Sequence, residues 1–199
     1  MTKEAIEFLD RISETWDHDE VRSTPARIGS ILAKTGIEPG MRVLDLGTGT
    51  GVLLPYLSEL VGENGCVVAV DISIGMLSQA ISKFSSLPNL KFEKKDFEKE
   101  PVEGRFDLIY LYCVYPHLHN PEKTLRRLVH NNLTEGGRII IAFPSDENFI
   151  NNIHREKKAE SDLLPSAPIL AERISGWRLK ARVEGYSSEE FIISVEAAT

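Results

Sequence analysis

The spacing of apolar residues along this chain switches repeatedly between the period of a helix and the continuous short run of a buried strand. Ile6, Phe8, Leu9, Ile12 and Trp16 fall roughly on one helical face, which predicts an amphipathic helix over Lys3 to Trp16. Thr24-Pro25 has the form of an N-cap and first helical position, Ile28, Ile31 and Leu32 supply an apolar stripe, and Gly36 is a fitting stop. Five strand-like runs follow: Arg42 to Leu46, Cys66 to Val70 closing on Asp71, Leu90 to Lys94, Phe106 to Leu111, and Arg138 to Phe143 after the Gly136-Gly137 turn. Helical segments alternate with them: Val52 to Leu60, a Ser73-capped helix carrying Leu77, Ala80, Ile81 and Phe84, and one opened by Asn120-Pro121 with Leu125, Leu128 and Val129 behind.

Strands separated by helices of this length imply right-handed crossovers and a mainly parallel sheet covered on both faces. The ending differs. Residues 146 to 175 predict helices or an elaborated loop, after which Arg178 to Val183 and Phe191 to Val195 are joined only by the polar turn Glu184 to Glu190, so they must run antiparallel. The expected fold is α/β: a doubly wound, mostly parallel seven-stranded sheet with a C-terminal antiparallel hairpin and helices on both faces. With 199 residues, 42% of them apolar, one domain over 1–199 is the expectation.

A formal net charge of −7 spread along the chain offers no long-range attraction to phosphate backbones or anionic lipid, although Arg155, Lys157 and Lys158 make a local basic patch. Nucleic acid and membrane are therefore not expected as partners; a monomer or homodimer acting on a small molecule is. The start, Met1 to Asp10, lacks the basic and apolar blocks of a signal peptide, and no apolar run reaches the length of a membrane span, so a cytoplasmic location is expected. The two cysteines, Cys66 and Cys113, lie in apolar stretches and read as buried thiols; alone they are too few for a structural zinc, and no metal is expected.

The sharpest chemical signal is Val43-Leu-Asp-Leu-Gly-Thr-Gly-Thr-Gly51 between a buried strand and a helix. Glycines at 47, 49 and 51 allow a tight turn and close approach to a ligand at a helix N-terminus. A dinucleotide fingerprint would place its third glycine at 52, which is Val52, so NAD is disfavoured. Asp45, just before the glycines, suits the ammonium of an amino-acid-bearing ligand.

This run resembles motif I of the class I S-adenosylmethionine (SAM)-dependent methyltransferases, and the resemblance extends from about Ile37 to Phe143. It implies SAM as cofactor, with Gly47, Thr48, Gly49 and Gly51 wrapping its methionine and ribose part. Asp71, at the end of the second strand, would accept from the ribose hydroxyls. Ile72 would lie against adenine, and Asp96 would accept from the adenine amino group, with the backbone of neighbouring Phe97 at the ring edge. Leu111 opens Leu111-Tyr-Cys-Val-Tyr-Pro-His-Leu-His119, which follows the fourth strand where the family places residues near the transferred methyl.

That segment carries Tyr112, Tyr115, His117 and His119, and a neighbouring histidine or tyrosine can take a proton from a methyl acceptor or orient its lone pair. His117, His154 and Tyr115 are the candidate catalytic residues; His154 belongs to the 146–175 segment, read as a substrate-side insertion. Residues 1–22 are read as a helical lid. His130 at a helix C-terminus and His18 among acids are read as structural or solvated. The expected function is methyl transfer from SAM to a small molecule of unknown identity. A protein acceptor, or a non-catalytic SAM- or adenosylhomocysteine-binding module, are the alternatives.

Overall fold

The computed structural model describes residues 3–19, 23–156 and 163–198. Helices α1 (Lys3–Ile12), α2 (Trp16–Asp19) and α3 (Pro25–Ala33) precede an alternating body: β1 (Arg42–Leu46), α4 (Leu54–Val61), β2 (Cys66–Asp71), α5 (Ile74–Phe84), β3 (Leu90–Lys94) and β4 (Phe106–Tyr112). A 3₁₀ turn at Tyr115–His117 leads into α6 (Pro121–Asn132) and β5 (Leu133–Phe143); α7 (Glu147–Glu156), α8 (Ala167–Ser175) and the hairpin β6 (Leu179–Ser187) and β7 (Glu190–Ala197) complete the chain. The seven strands form one sheet in the order β3-β2-β1-β4-β5-β7-β6. Pairs from β3 to β5 are parallel, and β5–β7 and β6–β7 are antiparallel. The expected sheet, including its closing hairpin, is the one observed.

Alternation along β1 shows how the sheet makes two cores. Val43 packs with Ile28, Leu54, Leu57 and Ala80 beneath α3, α4 and α5, whereas Leu44 and Leu46 join Leu125, Leu128, Leu170 and Ile174 beneath α6 and α8. Between β1 and β4 the strand order reverses direction, and the C-terminal ends of these two strands flank the crevice position at which doubly wound sheets bind ligands.

Several boundaries differ from those predicted. The helix expected over Lys3 to Trp16 stops at Ile12, because the Ser13 hydroxyl donates to the Asp10 carbonyl at 2.9 Å and that of Thr15 to the Ile12 carbonyl at 3.3 Å, competing with the helical pattern. Strand β5 begins at Leu133, not Arg138: Phe106 pairs with Leu133 and Leu108 with Arg138, and Gly136, with φ of 75°, takes up the extra residues as a bulge. Strands β6 and β7 run further toward each other than expected, since Gly185, Tyr186 and Ser187 pair with Ile192, Phe191 and Glu190. The 146–175 segment contains α7 and α8.

Candidate active site

The glycine loop is fastened to the neighbouring strand. Gly47 and Thr48 both donate their N–H to the Val70 carbonyl, at 2.8 and 3.0 Å. Gly47, Gly49 and Gly51 have φ of 72°, 57° and 88°, a region costly for residues with a Cβ. At Gly47 the reason is also packing, since a Cβ there would lie 2.5 Å from Val114 Cγ2, on the loop after β4. A Cβ on Gly49 would meet nothing within 4 Å, so this stretch of backbone is open to a ligand.

Two buried carboxylates flank the loop. Asp45 is 2% exposed and accepts from Thr48 Oγ1 at 2.6 Å. Burial pushes its carboxyl up to about 7, the Thr48 hydroxyl opposing and the negative Asp71 adding to the rise. Asp71 is also raised, chiefly by burial, although its oxygens accept from Gly49 N and Ser73 N at 2.8 Å each. A buried carboxylate held near its own neutral form is a site that gains by meeting a cation.

The N-terminal segment straps across this region. Asp10 on α1 accepts from Ser73 Oγ at 2.5 Å and from Gly75 N at 2.9 Å, so it caps α5, and the hydroxyl holds its carboxyl below the usual range. Gly75 is required here, because a Cβ would sit 2.8 Å from the Asp10 backbone. Asp17 accepts from Thr50 Oγ1 at 2.5 Å, on the glycine loop, and pairs with Lys83. Ser23 Oγ lies 2.9 Å from the Tyr112 hydroxyl at the end of β4.

Across the crevice, Cys113 turns the chain off β4 with φ of 58° while its N–H holds the Ala142 carbonyl at 2.9 Å. The following turn presents His117, and α7 presents His154 from the far side. Their rings are 5.3 Å apart, centroid to centroid, inclined at 60°, and both are half-buried. Helix α7 is pinned for this by Asn151, whose amide donates to the Leu164 carbonyl and accepts from its N–H at 2.9 and 2.7 Å.

A family described as "Methyltransferase domain" matches residues 37–182, which span both the glycine loop and the histidine pair. The chain is a class I SAM-dependent methyltransferase. A SAM-dependent methyltransferase from Aquifex aeolicus is 25% identical, with 98% of each chain covered and a TM-score of 0.71. The ubiquinone/menaquinone biosynthesis C-methyltransferase UbiE of Vibrio vulnificus is 33% identical over 111 residues, 54% of this chain but only 42% of that protein. The methyltransferase thus spans less than half the length of this curated relative. A Haloferax volcanii putative methyltransferase, solved in complex with the Trm112 methyltransferase activator, shares the fold at TM-score 0.76 and 16% identity, over 96% and 98% of the chains.

The cofactor of the methyltransferase is SAM, and the donor set present is compatible with it: two buried carboxylates, Asp45 and Asp71, of the kind that would meet an ammonium and a pair of hydroxyls, and open glycine backbone between. Of the residues expected at the site, Asp45, Gly47, Thr48, Gly49, Gly51 and Asp71 stand together at the ends of β1 and β2, with half-buried Ile72 next to Asp71. Asp96 lies beyond β3; partial burial raises its carboxyl, but Lys99 at 2.8 Å and the Glu98 N–H hold it below the usual range. Phe97 and Leu111, both expected at the cofactor, are core residues at 9% and 0% exposure, so neither side chain is offered to a ligand.

Tyr115 differs most from its expected part. Its ring is buried among Leu118, Leu164 and Leu170, and burial pushes the phenol up to about 12 despite nearby Arg173, which makes it a poor proton acceptor at neutral pH. Tyr112, by contrast, keeps its hydroxyl on Ser23. Lys157, Lys158 and Asp162 lie outside the described residues. Sequence reading missed Asp10, Asp17 and Glu98. Asp10 and Asp17 look like ordinary solvated acids on an amphipathic segment, and Glu98 is hidden in the charged run Glu93 to Glu100. The Thr48 hydroxyl on Asp45 was within reach, three residues on.

Proposed function

We propose that this enzyme moves the SAM methyl group to a small-molecule acceptor bound between the end of β4, the 115–117 turn and α7. The observation that supports this most is the meeting of His117 and His154, from elements far apart in sequence, at 5.3 Å and half-buried beside the crevice. Bound SAM supplies a methyl already activated by a positive sulfur, so the protein chiefly supplies proximity and orientation. In this reading Asp45 and Asp71 hold the two polar ends of the cofactor and the open backbone at Gly49 admits it closely. The strap of residues 3–19 keeps water from the crevice. One imidazole takes the acceptor's proton as the acceptor's lone pair bonds to the methyl carbon and the carbon–sulfur bond breaks, with adenosylhomocysteine leaving, and the other imidazole orients the acceptor.

The name of the Vibrio vulnificus relative, a C-methyltransferase, favours a carbon acceptor as a more specific version, with the same imidazole removing the proton that the methylated carbon loses. Screening metabolite fractions for SAM-dependent release of adenosylhomocysteine identifies the acceptor. With it, His117→Ala or His154→Ala should lower turnover by about a hundredfold or more and leave SAM affinity almost unchanged. Normal turnover in both variants would refute the base and leave orientation, with Tyr112 as the next residue to replace.

A further inference from the structure

The loop after β3 is bolted to the loop after β4 through one carboxylate. Glu98 accepts from the backbone N–H of His119 at 3.0 Å and of Asn120 at 3.3 Å, and from Thr124 Oγ1 at 3.0 Å; the His119 ring nitrogen is 3.3 Å away. Its own N–H donates to Asp96 Oδ1 at 3.2 Å. Arg127 on α6 completes the join by donating to the Phe97 and Glu98 carbonyls. Partial burial works against the Glu98 charge, yet the two backbone donors and the Thr124 hydroxyl hold the carboxyl below its usual range, so it is ionised at neutral pH.

The two loops joined in this way face different ligands. By the resemblance given above Asp96 would face the adenine of bound SAM, whereas His117 ends a turn closed by His117 N on the Val114 carbonyl at 2.9 Å and Leu118 N on that of Tyr115 at 3.2 Å. Phe97, Tyr115 and Leu118 share one apolar cluster. The turn is therefore held at its start by Cys113 on β5 and at its end by Glu98 on the cofactor loop. An N-cap role alone does not account for this carboxylate, because α6 already has a cap of its own: Asn120 Oδ1 accepts from Lys123 N at 3.0 Å.

Resting on the methyltransferase reading above, we infer that Glu98 is a positioning residue that couples the adenine side of the cofactor site to the placement of His117. Ordering of residues 96–98 by the cofactor is passed through the Glu98 carboxylate to the His119–Asn120 backbone, and so to the turn that carries the imidazole.

The test uses the full chain with adenosylhomocysteine as probe, reading affinity by calorimetry and the ring signals of His117 and His154 by NMR. In the wild type, saturation should shift the His117 ring signals. In Glu98→Ala, affinity should change by less than about threefold while the His117 shift falls to less than half. Asn120→Ala serves as the structural control, since it removes the side-chain cap of the same helix end but keeps the backbone N–H donors of His119 and Asn120 to Glu98, and it should keep the full shift. Glu98→Gln, which keeps the shape but brings an amide against backbone donors, gives the same readout if the alanine variant does not fold. An undiminished His117 response in the Glu98 variants, or an equal loss in Asn120→Ala, would overturn the coupling. No response of His117 in a wild type that binds the probe would also overturn it. Failure of the wild type to bind at all would instead bring down the methyltransferase reading together with it.

Discussion

Asp45→Asn separates the cost of the buried acid from its use. The carboxyl is lifted from 3.8 to about 7, burial being the main cause. At about 1.4 kcal/mol per tenfold change, that places roughly 4 kcal/mol of instability on the ionised, ligand-free fold. The folded protein holds this proton to higher pH than the unfolded chain. The contribution is therefore fully present below about pH 3.8 and is lost as the pH rises to about 7. An amide can still accept from Thr48 Oγ1 but leaves its NH₂ poorly satisfied, at a cost of about 1 to 3 kcal/mol. The net expectation is a variant more stable than the ligand-free wild type by about 1 to 3 kcal/mol at pH 8, with a flatter pH dependence between 4 and 7. The same variant should bind SAM about ten- to hundredfold more weakly, having lost a charged hydrogen bond worth roughly 1.5 to 3 kcal/mol. Urea unfolding at several pH values and calorimetry supply both numbers. An Asp45→Asn protein less stable than wild type at pH 8 and equally steep in its pH dependence would refute the reasoning.

Gly47→Ala should destabilise by about 1 to 3 kcal/mol through positive φ and overpacking, and Val114→Ala in the same chain should recover part of this in denaturant titrations, because the new Cβ would meet Val114. Hydrogen exchange over Lys3 to Asp19 should slow when adenosylhomocysteine saturates the protein and quicken in Asp10→Ala or Asp17→Ala, whose carboxylates fasten the strap; indifference to both would leave α1 as packing alone. Because the Asp10 carboxyl lies below its usual range, its contribution is present above the unfolded value and is lost as the pH falls through the folded one, so the protection factors of the strap, taken against the intrinsic exchange rate at each pH, should fall at acid pH in the wild type.

The strands were legible because a doubly covered sheet demands nearly continuous apolar runs, and Leu44, Val67 and Ile109 are buried on one face or the other. The glycine loop was legible for a different reason: positive φ at Gly47, Gly49 and Gly51 leaves few residue types possible. What escaped depended on partners distant in sequence. Nothing near Asp10 announces Ser73, and nothing near Glu98 announces the amides of His119 and Asn120. Strand ends also escaped, since Leu133 pairs with Phe106 only because a bulge, invisible to periodicity, absorbs the residues between. The position of His117 on the β4 side was readable from strand order, whereas its meeting with His154 required knowing where α7 lies.

The central claim is that the ends of β1 and β2 form a SAM site, and Asp71 tests it most directly. Calorimetric titration of adenosylhomocysteine into wild type and into a folded Asp71→Ala variant should show binding that is about ten- to hundredfold weaker in the variant, with NAD far weaker than adenosylhomocysteine in the wild type. Equal affinity in the two proteins, or preference for NAD, would contradict the account.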